Sequence, residues 1–172
     1  MTDESLHAPL LDHARALLER NAYLTLGTVG SDGRPWTSPV YMAADGLADF
    51  YWVSNQSSLH SVNVTAHPEV SLVVFDSTVP AYHGRALYAV GTAAVVRETE
   101  LAHGLRVYPG PEGRGGSALT PEDVTGESPY RLYRARASQV WVLCPREPRQ
   151  PCPLHGRAED HRELVHPTPP EN

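Results

Sequence analysis

With 172 residues, 41% of them apolar and 20% charged, the chain is long enough for one domain with its own core. It has neither an apolar run of about 18 residues to cross a membrane nor a charged-then-apolar leader, and its net charge of -6 argues against a generic nucleic-acid binder. Cys144 and Cys152 are too few for a disulfide framework, so a soluble protein of the reducing cytoplasm is expected.

A first helix is predicted from about Pro9 to Arg20, with Pro9 in its opening turn and Leu10, Ala14, Leu17 and Leu18 at helical spacing. Three strands follow, Ala22–Val29, Arg34–Ala43 and Ala48–Ser54. The breaks Gly30-Ser31-Asp32-Gly33 and Ala44-Asp45-Gly46 suit tight hairpins, which makes an antiparallel meander. Ser57 to Ala66 reads as a short helix ended by His67-Pro68. Strands are expected at Glu69–Phe75 and Ala86–Val96, and a helix at Glu98–Val107. From Pro109 to Pro129 the composition turns to Gly, Pro and Ser, a surface excursion with a short helix after Thr120. A last strand pair uses Arg131–Ala135 and Gln139–Leu143. The pattern sums to a mainly β (α+β) domain over residues 1–144, a six-stranded antiparallel barrel with a few peripheral helices. Residues 145–172, rich in Pro, Arg and His, are expected as an extended C-terminal tail.

No G-x-S-x-G elbow, Walker loop, H-E-x-x-H or G-x-G-x-x-G is present. The densest polar cluster is Ser54-Asn55-Gln56-Ser57-Ser58-Leu59-His60-Ser61-Val62-Asn63, where a strand turns into a helix. Backbone N–H groups at such a helix start, with hydroxyls beside them, can hold a phosphate through Ser54, Ser58 and a protonated His60. The same residues also suit ordinary helix capping. Cys152, His155, His161 and His166, with Cys144 upstream, carry metal-ligand chemistry, but their irregular, Pro-rich spacing leads us to expect no metal site. His7, His13, His83 and His103 are scattered and read as surface residues.

The order of these pieces resembles the pyridoxamine 5′-phosphate oxidase-like superfamily, the flavin-binding split β-barrels, over about Ala14 to Leu143. Ser54-Asn55-Gln56-Ser57-Ser58-Leu59-His60 occupies the family's T-N-x-x-S-R-K turn, and His67-Pro68 stands where the family has N-P. The hairpin Leu24–Val29 through Gly33–Tyr41 and the strand Leu87-Tyr88-Ala89-Val90-Gly91-Thr92-Ala93 also match. Leu59 and His60 replace the family's phosphate-binding Arg and Lys, Arg85-Ala86-Leu87-Tyr88 replaces R-Q-V-R, and no R-L-x-P is evident. The resemblance therefore implies a flavin-dependent oxidoreductase other than pyridoxamine phosphate oxidase, with FMN at a homodimer interface and a small organic substrate. It places Tyr41 beside the isoalloxazine ring, Val53 and Ser54 along its edge, and Ser58, His60 and Asn63 at the ribityl phosphate. Trp36 and Trp52 are candidates to pack on the ring or to join the core. Leu87, Tyr88, Val90, Val140 and Trp141 are candidates for the dimer contact. A deazaflavin is the alternative cofactor; haem, ligated by His60 or His83, is a third possibility. No catalytic acid or base is assigned.

Overall fold

Eight strands and four helices make up the computed structural model, which describes residues 3–167 and the side chains of residues 8–166. Residues 168–172 of the expected tail, and the side chain of His7, lie outside the described residues. Helix α1 spans Asp3–Arg20 and so begins before the predicted start, leaving Pro9 inside it. A proline there gives up one backbone hydrogen bond. Leu10, Ala14, Leu17 and Leu18 form its buried stripe, as their spacing predicts.

The strands are β1 (Tyr23–Val29), β2 (Pro35–Tyr41), β3 (Ala43–Asp45), β4 (Asp49–Asn55), β5 (Glu69–Phe75), β6 (Ala86–Val95), β7 (Tyr130–Leu143) and β8 (Arg162–Pro167). They form one antiparallel sheet in the order β2-β1-β5-β6-β7-β4-β3, with β8 also on β7. The sheet curls into a split barrel of eight strands rather than six. Two short strands account for the excess: β3 follows β2 almost directly, and β8 comes from the segment expected as tail.

Alternation decides which residues fill the interior. Leu24, Leu26 and Thr28 of β1, Val70, Leu72 and Val74 of β5, and Leu87 and Ala89 of β6 point inward and are buried. Trp52 is fully buried and stacks on Tyr133, with ring centroids 5.6 Å apart. It belongs to the core, and Trp36, 48% exposed, does not.

β7 merges the expected last strand pair into a single strand. Its pairing with β6 slips where Val90 faces Gln139 and Gly91 faces Ala137, leaving Ser138 as the extra residue of a bulge. The bulge lets one strand serve two partners along the same edge, β4 on residues 130–136 and β8 on residues 139–143. The segment after Pro145 thus returns to the sheet, burying Cys152 and Val165 in the main core. An extended tail is not what the chain forms here, because the free edge of β7 is a template for one more strand.

Helix α2 (Leu59–Ala66) follows β4, α3 (Glu98–Val107) follows β6, and α4 (Pro121–Val124) sits in the excursion before β7, opened by a capping box of Thr120 and Asp123. The excursion is pinned at Arg114, whose guanidinium donates to the carbonyls of Leu18 (3.0 Å) and Met42 (2.6 Å).

Candidate functional site

β4 stops at Asn55 because its side chain bends the backbone: Asn55 Oδ1 accepts from the Ser57 N–H (2.9 Å) and the Ser57 hydroxyl (2.8 Å). The chain then starts α2 with Ser58 at the N-cap position. The Ser58 hydroxyl does not cap the helix; it donates back to the Asn55 carbonyl at 2.8 Å. The first-turn N–H groups of α2 are left without a side-chain cap, which is the condition for holding an anion there.

His60, in that first turn, gathers the hydroxyls. Its Nε2 lies 2.7 Å from Ser54 Oγ on β4 and 3.0 Å from Ser58 Oγ, while Nδ1 lies 3.2 Å from Ser38 Oγ on β2. One imidazole thus bridges β2 and β4, the two strands facing each other across the split. Ser38 in turn accepts the indole N–H of Trp36 at 3.0 Å. Burial lowers the pKa of His60 below the ordinary histidine value, so at neutral pH the ring is uncharged and one nitrogen donates while the other accepts. Without a bound anion His60 therefore adds no positive charge at neutral pH: hydroxyls surround it, and among the described residues no carboxylate is bonded to it.

Beyond Trp36 a groove of about 850 Å³ runs over the outer face of β1, β2, β5, β6 and β7. Val29, Trp36 and Val90 supply apolar wall, and Arg136, hydrogen-bonded to Asp49, supplies a fixed cation. Gly27 and Gly91 belong to its lining; a Cβ on Gly27 would run into the Ser71 hydroxyl, and one on Gly91 into the Arg136 carbonyl. Trp36 joins groove and hydroxyl cluster, since its ring lines the first and its N–H reaches the second.

Of the six residues singled out from sequence, Ser54, Ser58 and His60 converge. The other three are engaged elsewhere. Asn63 is buried and donates to Thr28 Oγ1 at 3.1 Å, tying α2 to β1. Val53 packs toward the small cluster of Tyr51, Val96, Val124 and Leu132 beneath α3 and α4. The Tyr41 hydroxyl donates to the Pro109 carbonyl at 2.8 Å, and its ring lies edge-on between Tyr23 and Tyr108 with the Arg114 guanidinium 5.5 Å away. Sequence reasoning did not single out Ser38, or Ser61, whose hydroxyl lies 2.9 Å from that of Ser58, and it weighed Trp36 as a ring neighbour or a core residue. Ser38 is two residues from Trp36 on β2, so strand alternation puts both on one face, and that signal was available.

The other histidines are expected at the surface, and the Cys/His run near the C-terminus is expected to form no metal site. His13, on α1, is not a surface residue: its Nε2 is buried without a hydrogen-bond partner. Cys144, Cys152, His155 and His161 meet at one corner, their ligand atoms all within 4.8 Å of one another, while His166 is placed on β8 opposite Val140 and is not among them. Their irregular sequence spacing hides this convergence, because pairing of β7 with β8 brings distant residues together.

The donors at the hydroxyl cluster fit a phosphate: the uncapped N–H groups and Ser54, joined by Ser58 once its hydroxyl turns from the Asn55 carbonyl. The groove beside it has the size and apolar lining to take a planar ring system. Among the described residues no cation bonds Ser54, Ser58 or His60; the guanidinium of Arg131 on β7 lies against the Gln56 side chain of the turn.

Comparison with known proteins agrees with the fold. The family model described as Pyridoxamine 5′-phosphate oxidase matches residues 10–144. No curated protein matches the sequence. A haem-binding protein from Mycobacterium smegmatis superposes over 90% of this chain with a TM-score of 0.66 and 16% identity; the chain spans 57% of that protein's length. A putative pyridoxamine 5′-phosphate oxidase from Listeria innocua superposes over 77% of this chain and 97% of its own, at TM-score 0.58 and 19% identity. An F420 reductase covers 73% of this chain and 94% of its own, at TM-score 0.53 and 26% identity.

Proposed function

The chain belongs to the pyridoxamine 5′-phosphate oxidase family, and on that footing we propose that it is a flavin-dependent oxidoreductase of the cytoplasm that binds FMN at a homodimer interface and acts on a small organic substrate. The observation that carries this reading is the uncapped start of α2, with Ser54, Ser58 and His60 gathered and linked through Ser38 to Trp36, whose ring lines an apolar groove. In this reading the two serine hydroxyls and the first-turn N–H groups hold the phosphate, and neutral His60 fixes the serines by hydrogen bonding to both. When bound, the flavin supplies the hydride-accepting position at N5; the chain supplies orientation and exclusion of water. Trp36, Val29 and Val90 make the dry wall, and Arg136 places a positive charge along it.

The shared site rests on the outer face of the sheet. Val29, Trp36, Phe75 and Val90 are exposed there, and Tyr88 and Trp141 are half-exposed partners across β6 and β7. Leu87 and Val140, first grouped with them, are fully buried and face the core. A symmetric pair of chains would cover the exposed set with one self-complementary patch.

A deazaflavin is the second reading, favoured by the lack, among the described residues, of a guanidinium bonded to Ser54, Ser58 or His60 and by the likeness to the F420 reductase. Haem has less support: both ring nitrogens of His60 are engaged, His83 pairs with Glu147 at 3.3 Å, and neither histidine lines the groove. Mass spectrometry of the cofactor released on denaturation, combined with sedimentation of the loaded protein, tests the proposal. FMN on a dimer is the expected result. A deazaflavin mass replaces the first reading with the second, and a flavin-loaded monomer removes the shared interface.

A further inference from the structure

The corner where β7 ends and β8 begins holds two thiols and two imidazoles, none of which the cofactor site uses. Cys144 follows directly on β7 and His161 directly precedes β8; the Cys144 N–H donates to the His161 carbonyl at 3.0 Å, so strand pairing fixes these two side by side. Cys152 and His155 come from the connecting loop, with two residues between them, the Cys-x-x-ligand spacing of zinc sites. That loop is a tight turn: the Cys152 N–H donates to Arg157 O and the Gly156 N–H to Cys152 O, both at 2.7 Å, and Gly156 takes a positive φ of 67°.

Distances decide what the cluster can hold. The two Sγ atoms are 3.1 Å apart, His155 Nδ1 lies 3.4 and 3.6 Å from Cys144 and Cys152 Sγ, and His161 Nε2 lies 3.2 Å from His155 Nδ1. A tetrahedron built on Zn–S and Zn–N bonds of about 2.3 and 2.05 Å has S···S, S···N and N···N edges of about 3.8, 3.6 and 3.4 Å. To match it the sulfur pair has to open, and the two edges from His161 Nε2 to the sulfurs, each within 4.8 Å, settle at about 3.6 Å. Both cysteines are buried and free and the His161 side chain is 6% exposed, so the corner is largely closed to solvent, with His155 half-buried at its rim. The other nitrogen of His161 is already committed, since Nδ1 lies 3.0 Å from the Glu159 carbonyl and donates to it, which turns the Nε2 lone pair into the cluster. Glu163, 3.8 Å from that Nε2 and 3.5 Å from Arg157, flanks the group as a carboxylate with its own cation.

We propose that Cys144, Cys152, His155 and His161 form a structural zinc site that fastens the C-terminal segment to the end of β7. Binding forms two Zn–S and two Zn–N bonds and releases both thiol protons to solvent; the site is then electrically neutral and nothing is oxidised or reduced. With four protein ligands no coordination position remains for substrate, so the role is structural and separate from the groove. The proposal does not rest on the identity of the cofactor.

Full-length protein purified under reducing conditions without chelator should carry about one zinc per chain by elemental mass spectrometry. Cys152→Ser and His155→Ala should each lose it. Should these variants fail to fold, Co2+ replacement in the unaltered protein reads the same geometry: an intense visible spectrum with a sulfur-to-cobalt charge-transfer band is expected. Metal-free protein after Zn2+ supplementation, with both thiols open to titration, would overturn the proposal. So would an intact mass lighter by two hydrogens, the mark of a Cys144–Cys152 disulfide.

Discussion

Two polar clusters sit on this barrel, and they are built on opposite principles. The hydroxyl cluster at the start of α2 comes from neighbouring stretches of chain and lies partly open: His60 is half-buried, its partners are neutral, and the helix end it borders has donors to spare. The sulfur–imidazole corner is largely closed and assembled across strand pairing, and its side chains point at one another. A site that exchanges a ligand needs unspent donors next to accessible volume. A site that holds the fold needs its donors turned on one centre and sealed. The contrast predicts separate consequences: damage at the turn should appear in ligand affinity, and damage near the corner in stability.

The largest effect expected at the turn is on cofactor binding. Replacing Ser58 and His60 together with alanine removes hydroxyl and imidazole from the phosphate cradle. FMN affinity measured by fluorescence titration should fall by about 1–3 kcal/mol, roughly 5- to 150-fold. The urea midpoint should stay nearly unchanged, because the core under α2 is Val64 and Asn63, which the variant leaves in place. A large midpoint shift with intact affinity would reverse the roles assigned to the two regions.

The reciprocal experiment uses Val165 on β8, 3% exposed and packed in the main core beside the corner. Val165→Ala removes two buried methyl groups and leaves part of their volume empty. Stability in urea unfolding should drop by roughly 2 kcal/mol. FMN affinity of the folded protein should not move. A fall in affinity of the same size as the fall in stability would mean that β8 supports the groove, and the contrast between the regions would collapse.

These two regions also differ in how far sequence could reach them. Ser54 through His60 lie within one strand-turn-helix, where the distance between residues along the chain is also their distance in space, so the convergence of Ser54, Ser58 and His60 was legible. Ser38 was not, because it arrives from β2 across the split. Tyr41 and Asn63 were placed by resemblance, and the structure commits their polar atoms to Pro109 and Thr28. Apolar runs and turn signals located most of the barrel's strands. They gave no warning of β8: Arg162-Glu163-Leu164-Val165 is a short, half-polar run whose strand character comes from the unfilled edge of β7. The corner's residues could be named together from sequence, but their convergence was hidden for the same reason. Cys144 and His161 are remote in sequence and adjacent only through that pairing.

The smallest effect expected is on pH dependence, and its sign separates the free turn from the loaded one. Burial lowers the folded-state pKa of His60, and burial with Arg85 and Arg20 nearby lowers that of His13. Between those values and the unfolded value of about 6.5 the unfolded chain binds more protons, so stability rises with pH across that window. Their contribution is complete above about pH 6.5 and is lost as pH falls toward the folded values. Glu100 has the same sign but a lower window. Hydrogen bonds from Arg97 and Arg134 hold its pKa at about 2, so its contribution is lost only between 4.5 and that value. Urea midpoints should therefore already decline on the acid side of about pH 6.5, and His60→Gln should flatten part of that decline. A phosphate held at the start of α2 pulls the other way, because its negative charge favours the imidazolium. The imidazole resonance of His60, followed by NMR, should titrate below about 6.5 in the free protein and at higher pH once FMN is added. An identical midpoint in the two titrations would place the phosphate away from this histidine.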